Sequence, residues 1–162
     1  MEVSGRIVDW EGDHRWRHRR HGDIGALGSL NARLLSTRVV VRWLAAPKKL
    51  SREQSRVLRE AVRRHEPVAV SAITLLEIAV LFGAGTTRSD VPVNELLDEL
   101  ASNPAFQIFP FTIEIAAEVA AVGASLRDPA DRAIVATGRV NRLRLVTSDQ
   151  RIIESKLVPV IA

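Results

Sequence analysis

The amino-acid sequence predicts an α/β protein of three layers (α/β/α), with helices on both faces of a central, mainly parallel sheet. Three observations predict it. Short apolar runs of strand length alternate with helical patterns from residue 38 onward. Helix-start signals recur between them, at Ser51, Thr112 and Asp128-Pro129. Acidic residues cluster at strand–helix junctions, where sheets of this class carry their working groups.

The elements follow in order. Residues 39–46 form a short apolar helix stopped by Pro47. Ser51-Arg-Glu-Gln54 is a capping box, because each of the two polar side chains can satisfy a free backbone group at the helix start. The helix it opens runs to about His65, with Val57, Leu58, Ala61 and Val62 as its buried side. Arg52, Arg56, Arg59 and Arg63 share one face by their four-three-four spacing. Residues 67–71 read as a strand and residues 72–82 as a very apolar helix, ended by Gly83 and Gly85. An amphipathic helix over 93–102 and a strand over 106–109 come next. Thr112 caps a helix to about Leu126, and Asp128-Pro129 opens another to about Asn141. A strand over 143–147, a helical turn or two over 150–155 and a final edge over 158–161 complete the chain. No internal repeat is present.

The bulk properties bound the function. The 162 residues suffice for one domain with a proper core, and 46% are hydrophobic. No apolar run reaches the ~18 residues of a membrane span, and no secretory signal pattern opens the chain. There is no cysteine, which excludes disulfides and thiolate metal sites and points to a reducing cytoplasm. The net charge of +4, with a pI near 10.5, mildly favours a polyanionic partner.

The first 35 residues read differently. They hold three of the four histidines and five of the nine glycines. The run His14-Arg-Trp-Arg-His-Arg-Arg-His21 has neither helical nor strand periodicity. The expected organisation is a poorly structured extension over residues 1–33 and one domain over 34–162. A basic arm touching RNA and a merely solvated tail are both open readings of the extension.

The acids then acquire a pattern. Glu77 lies within Ile73-Thr-Leu-Leu-Glu-Ile-Ala-Val-Leu81, where an unpaired charge would be costly to bury. Asp128 and Asp131 open one helix, and Asp149 follows a strand. Three strand–helix junctions are thus expected to bring carboxylates to one end of the sheet. Carboxylates so gathered repel one another, and oxygen-only ligation points to Mg2+ or Mn2+ and away from zinc. Each acid also has a structural reading. Asp128 and Asp149 suit helix caps, and Asp131 suits the helix dipole. Glu77 suits a pairing with a buried arginine such as Arg132.

Four segments carry a family resemblance. Ser71-Ala-Ile-Thr-Leu-Leu-Glu77, Arg127-Asp-Pro-Ala-Asp-Arg-Ala-Ile-Val-Ala136 and Leu145-Val-Thr-Ser-Asp149 resemble, in order and spacing, the later motifs of PIN-domain ribonucleases of the VapC toxin type. Trp43-Leu-Ala-Ala-Pro-Lys-Lys-Leu-Ser51 resembles the end of their first helix and the loop beyond. The likeness spans about residues 36–162. It implies a PIN-like fold and an Mg2+- or Mn2+-dependent single-strand-type RNA endonuclease, the toxin of a toxin–antitoxin pair. It further implies a cognate antitoxin as partner, a homodimer and no membrane. By the same likeness Glu77, Asp131 and Asp149 are the metal-site and catalytic acids, with Asp128, Thr147, Thr37 and Ser36 in support. Lys48, Lys49, Arg52 and Arg56 are expected to track the RNA backbone, against the plainer reading of a solvated helix face.

One departure stands at the start. The family opens with a strand ending in Asp-Thr, and this chain has Leu34-Leu-Ser-Thr-Arg38. Ser36 occupies the place of the aspartate, and a neutral hydroxyl is a far poorer Mg2+ ligand. Activity is therefore expected to be weak or absent. A PIN domain that binds antitoxin or RNA without cutting is the alternative, and a DNA nuclease a third reading. Two histories give such a start: a genuine extension with a point substitution, or an out-of-frame translation. TCG-ACA-CGC, read in the neighbouring frame after a C, gives Leu-Asp-Thr. The second history implies a weak, makeshift first strand and few core contacts before residue 30.

Overall fold

The computed structural model describes residues 32–83 and 91–162. The expectations for an unstructured extension and for the Gly85 stop lie outside the described residues. The element order is β1 (Arg33–Leu35), α1 (Thr37–Ala45), α2 (Arg52–Arg63), β2 (Val68–Ser71), α3 (Ala72–Gly83), α4 (Val93–Ser102), β3 (Phe106–Phe109), α5 (Ile113–Val122), α6 (Pro129–Val140), β4 (Arg144–Val146), α7 (Gln150–Ser155) and β5 (Val160–Ile161). The strands form one sheet in the order β3-β2-β1-β4-β5, with every pairing parallel. A parallel sheet needs a crossover between neighbours, and the intervening helices supply it.

The alternation of side chains along each strand builds the two faces. Leu35, Val70 and Val146 point to one side and meet Val39, Val40 and Leu44 of α1, Val57 and Leu58 of α2, Ile78 of α3, and Leu96 and Leu100 of α4. Leu34, Ala69 and Leu145 point to the other, against Val122 of α5, Ile134 and Val135 of α6, and Ile152 of α7. Each fully buried leucine or isoleucine contributes about 1.5–3 kcal/mol of transfer free energy. At Gly138 an added Cβ would meet the Val158 side chain at 3.2 Å, so α6 approaches the sheet closely there.

The local signals hold. Ser51 and Gln54 form the reciprocal capping box. Thr112 caps α5, and Asp128 caps α6 with Pro129 in its first turn. The helix expected to reach Leu126 ends at Val122, because Gly123 turns to φ +59° and a 3-10 turn follows.

Two expectations are corrected. β1 is short but not makeshift: it is the middle strand, paired with β2 and β4, and Leu34 and Leu35 are fully buried. The polypeptide is already part of the core at Ala32. Asp128 and Asp131 do not follow a strand either. They open α6 at a helix–helix turn after α5. Among the described residues no helix is long and apolar enough to cross a membrane.

Candidate active site

Because β1 lies between β2 and β4, the residues leaving these three strands become neighbours. The pairs Leu35–Val70 and Leu35–Val146 set the register. One residue beyond that row stand three hydroxyls, Ser36, Ser71 and Thr147. Ser36 is tied in place by its own N–H, which donates to the Val146 carbonyl at 3.0 Å. The Thr147 hydroxyl accepts from the Asp149 N–H at 3.1 Å and so shapes the turn into α7. Ser71 accepts from the Ile73 N–H at 3.2 Å at the turn into α3.

A cleft of about 680 Å³ opens above this row. Glu77, Asp128, Asp131 and Asp149 all line it, together with Ser36, Thr37 and Thr147. Every acid and hydroxyl singled out in the sequence therefore faces one cavity at the carboxyl end of the sheet. Asp128 and Asp149 serve as helix caps at the same time, each accepting from backbone N–H groups of the helix it opens.

The four carboxylates differ in environment. Glu77 does not pair with Arg132: its carboxylate accepts a very short hydrogen bond from the Thr37 hydroxyl, which also lies 3.2 Å from that of Thr74. The Arg132 guanidinium instead donates to the Arg127 carbonyl at 3.3 Å. Burial raises the Glu77 pKa against the Thr37 bond, with the Asp128 charge adding to the rise. Asp131 is pushed up to about 6, first by burial, then by the charges of Asp128 and Asp149. Asp149 goes the other way, held low chiefly by its hydrogen bond from Arg151. That arginine donates to Asp149 at 2.9 Å and 3.2 Å and reaches Asp131 at 3.5 Å.

The cleft also has basic lining. Arg38, Arg42 and Lys49 line the same cleft. Arg42 also donates to the Ser148 hydroxyl at 3.2 Å, as the buried Gln54 does at 2.9 Å, so α1 and α2 both brace the loop that carries Asp149. Of the four residues expected to track RNA, only Lys49 borders the acids. Lys48, Arg52 and Arg56 surround a second hollow with Trp43 and Arg59, and Arg56 is paired with Glu53 and Glu60. Arg38, Arg42 and Arg151 were not singled out in the sequence. The first two had a legible signal, their four-residue spacing on the polar side of an apolar helix.

The donor chemistry suits a hard divalent cation: carboxylates and hydroxyls, with no sulfur or imidazole among the described residues that line the cleft. The Ser36 hydroxyl strengthens the fit, since it is buried and has no hydrogen-bond partner. As placed, however, no group of three His, Cys, Asp or Glu side chains among the described residues is close enough to hold one ion.

The comparisons with known proteins complete this picture. The family model described as the PIN domain matches residues 33–156. The chain belongs to the PIN-domain family. This PIN domain is 34% identical over 120 residues to "Ribonuclease VapC22" of Mycobacterium tuberculosis, covering 74% of this chain and 88% of that protein. The crystal structure of FitAcB from Neisseria gonorrhoeae is 26% identical with a TM-score of 0.56, covering 80% of this chain and 96% of the other. VapBC2 from Rickettsia felis, bound to a DNA fragment from its promoter, shares the fold at a TM-score of 0.60 and 17% identity, over 80% of this chain and 97% of that one. The likeness read from the acidic motifs is borne out at the level of family and fold.

Proposed function

We propose that this PIN domain is an RNA endonuclease that works with Mg2+ or Mn2+, the toxin of a toxin–antitoxin pair, with activity weakened by serine at position 36. The observation that carries this reading is the gathering of Glu77, Asp128, Asp131 and Asp149 in one cleft rimmed by Arg38, Arg42 and Lys49. A relative at 34% identity named a ribonuclease supports the reaction class. In this reading Glu77, Asp131 and Asp149 hold the cation, with Ser36 and Thr147 at the floor. When bound, the cation neutralises phosphate charge and makes a water acidic enough to attack.

The chain's own residues do the rest. Arg38, Arg42 and Lys49 draw in the phosphodiester backbone and hold it against the acids. Asp131, its pKa raised to about 6 by burial and by its acidic neighbours, holds its proton more tightly than a free carboxyl does. The Thr37 hydroxyl fixes the Glu77 carboxylate in one orientation. Ser36 supplies a neutral oxygen where a carboxylate would bind the cation far better.

The test is cleavage of RNA and of single-stranded DNA by the purified protein in Mn2+, beside Glu77→Gln. Cutting of RNA that the variant loses supports the reading. Preferential cutting of DNA overturns the substrate class. Ser36 also favours a second reading, a PIN domain that binds RNA or antitoxin without cleavage. RNA retention with no cutting, even after Ser36→Asp, selects it. A homodimer is part of the first reading. The supporting feature is α3, where Leu76 and Val80 are 59% and 60% exposed, while the apolar side chains of α1 are buried in the core or packed against it. Light scattering that gives a monomer at tens of micromolar argues against it.

A further inference from the structure

We propose that Arg151 is an internal counter-ion of the acid cleft, which must leave before a divalent cation enters and so sets the affinity for that cation. The inference rests on the functional reading above, because it takes Asp131 and Asp149 as cation ligands.

The geometry is specific. Arg151 forms a fork on Asp149, with Nε donating to Oδ1 at 3.2 Å and Nη2 to Oδ2 at 2.9 Å. The same Nη2 reaches Asp131 Oδ2 at 3.5 Å. One guanidinium thus bridges the two carboxylates, one from α6 and one from the cap of α7. It occupies the oxygen atoms that a shared cation would need. The acids are sheltered, at 19% and 15% side-chain exposure, while Arg151 is 65% exposed. The partner that can move is therefore the arginine, whose long side chain can turn out to solvent without disturbing the core.

Its place in the chain argues against a plain structural purpose. Arg151 sits in the first turn of α7, two residues after the capping Asp149, where the helix dipole disfavours a positive charge. An ion pair to an exposed arginine adds little to stability in water. What the guanidinium does supply is relief of repulsion between two sheltered carboxylates while no cation is bound. A divalent cation supplies the same relief with twice the charge on a smaller body. The guanidinium takes up lone pairs of the same two carboxylates and its charge repels an incoming cation, so the two compete. One arm of the guanidinium contacts two of the expected ligands, Asp131 and Asp149.

The experiment is Mn2+ binding to the full-length protein, measured by the loss of the free Mn2+ signal in electron paramagnetic resonance, with melting temperatures recorded with and without Mn2+. Wild type is compared with Arg151→Gln, Arg151→Lys and Asp131→Asn. Arg151→Gln is expected to bind Mn2+ roughly tenfold more tightly, equivalent to about 1.4 kcal/mol. Lysine keeps the charge but loses the fork and should fall between. The melting temperature of Arg151→Gln should lie below wild type without metal and meet it in saturating Mn2+, because the displaced arginine then contributes nothing. A purely structural arginine would leave the same deficit with and without metal. Equal affinities in wild type and Arg151→Gln, both lost in Asp131→Asn, overturn the counter-ion while leaving the cation site standing. Binding unaffected by Asp131→Asn, or absent from every variant, overturns the cation site itself and the counter-ion with it.

Discussion

Glu77 and Asp149 line one cleft, and their pKa values are shifted in opposite directions. Glu77 projects from α3 between apolar side chains, and its carboxylate accepts from a neutral hydroxyl, that of Thr37. Burial dominates there and raises its pKa. Asp149 lies at the start of α7 beneath a guanidinium, and the hydrogen bond from Arg151 lowers its pKa. The two acids occupy equivalent places in the chain, each within a few residues of a strand end. Charge state follows from what a carboxylate faces, and only then from where it sits. Carboxylates shifted in opposite directions within one cleft are a pattern found at functional sites.

The most direct way to break this comparison is to remove the charge of one corner. Glu77→Gln is expected to lower RNA cleavage in Mn2+ by about 10²-fold or more, since a transition-state charge loses its support. It should not unfold the protein, because the amide keeps the shape and can still accept from Thr37. Retained cleavage with unchanged melting would remove Glu77 from the catalytic group.

A third corner can be added. Ser36 is only 7% exposed and its hydroxyl lacks a partner. Ser36→Asp is expected to raise cleavage and Mn2+ affinity by about 10–100-fold. It should also destabilise the metal-free protein, because a fifth carboxylate joins the four that line the cleft. A gain in affinity without any loss of metal-free stability would mean that the new carboxylate does not face the others.

Asp131 sharpens the comparison by pH. Its folded value of about 6 exceeds its ordinary 3.8, so the folded state holds the proton more tightly than the unfolded chain does. That contribution to stability is complete below about pH 4 and is lost as pH rises through about 6. Asp131→Asn should therefore match wild type near pH 4 and melt higher at pH 8, by about 2–4 °C for each kcal/mol regained. Carboxyl carbon NMR of the metal-free protein reads the titration itself, and a midpoint near 4 would refute the sheltered environment.

The smallest effect is the opposite sign at the other corner. Asp149→Asn keeps a capping oxygen but gives up the fork with Arg151, so it should cost up to about 1 kcal/mol at neutral pH. Because the Asp149 pKa is lowered, that stabilisation is present at neutral pH and is lost as pH falls into the acid range. Melting of wild type and variant should converge in acid. A higher melting temperature for Asp149→Asn at pH 7 would contradict the assignment.

Much of this was legible in the amino-acid sequence because it is local. The capping box of Ser51 and Gln54, the stop at Pro47, the opening of α6 by Asp128-Pro129 and the alternation of strands with helices all depend on neighbours within a few residues. The acids themselves were visible for the same reason: a charged Glu77 among leucines marks its own cost. Strand order was not visible. Only the non-local pairing of β1 with both β2 and β4 puts Ser36, Glu77 and Asp149 around one opening, and periodicity says nothing about which strands become neighbours. The turn after Val122 likewise carries Asp128 and Asp131 into the cleft from a helix–helix junction that the strand–helix rule did not foresee. Partners were decided at the same level. Glu77 meets Thr37 and not Arg132, Lys49 parts from Lys48 and Arg52, and Arg151 bridges acids from two helices. A hydrogen bond or ion pair depends on ångström-scale distances between residues far apart in the chain, and those are fixed only when the sheet has closed around its core.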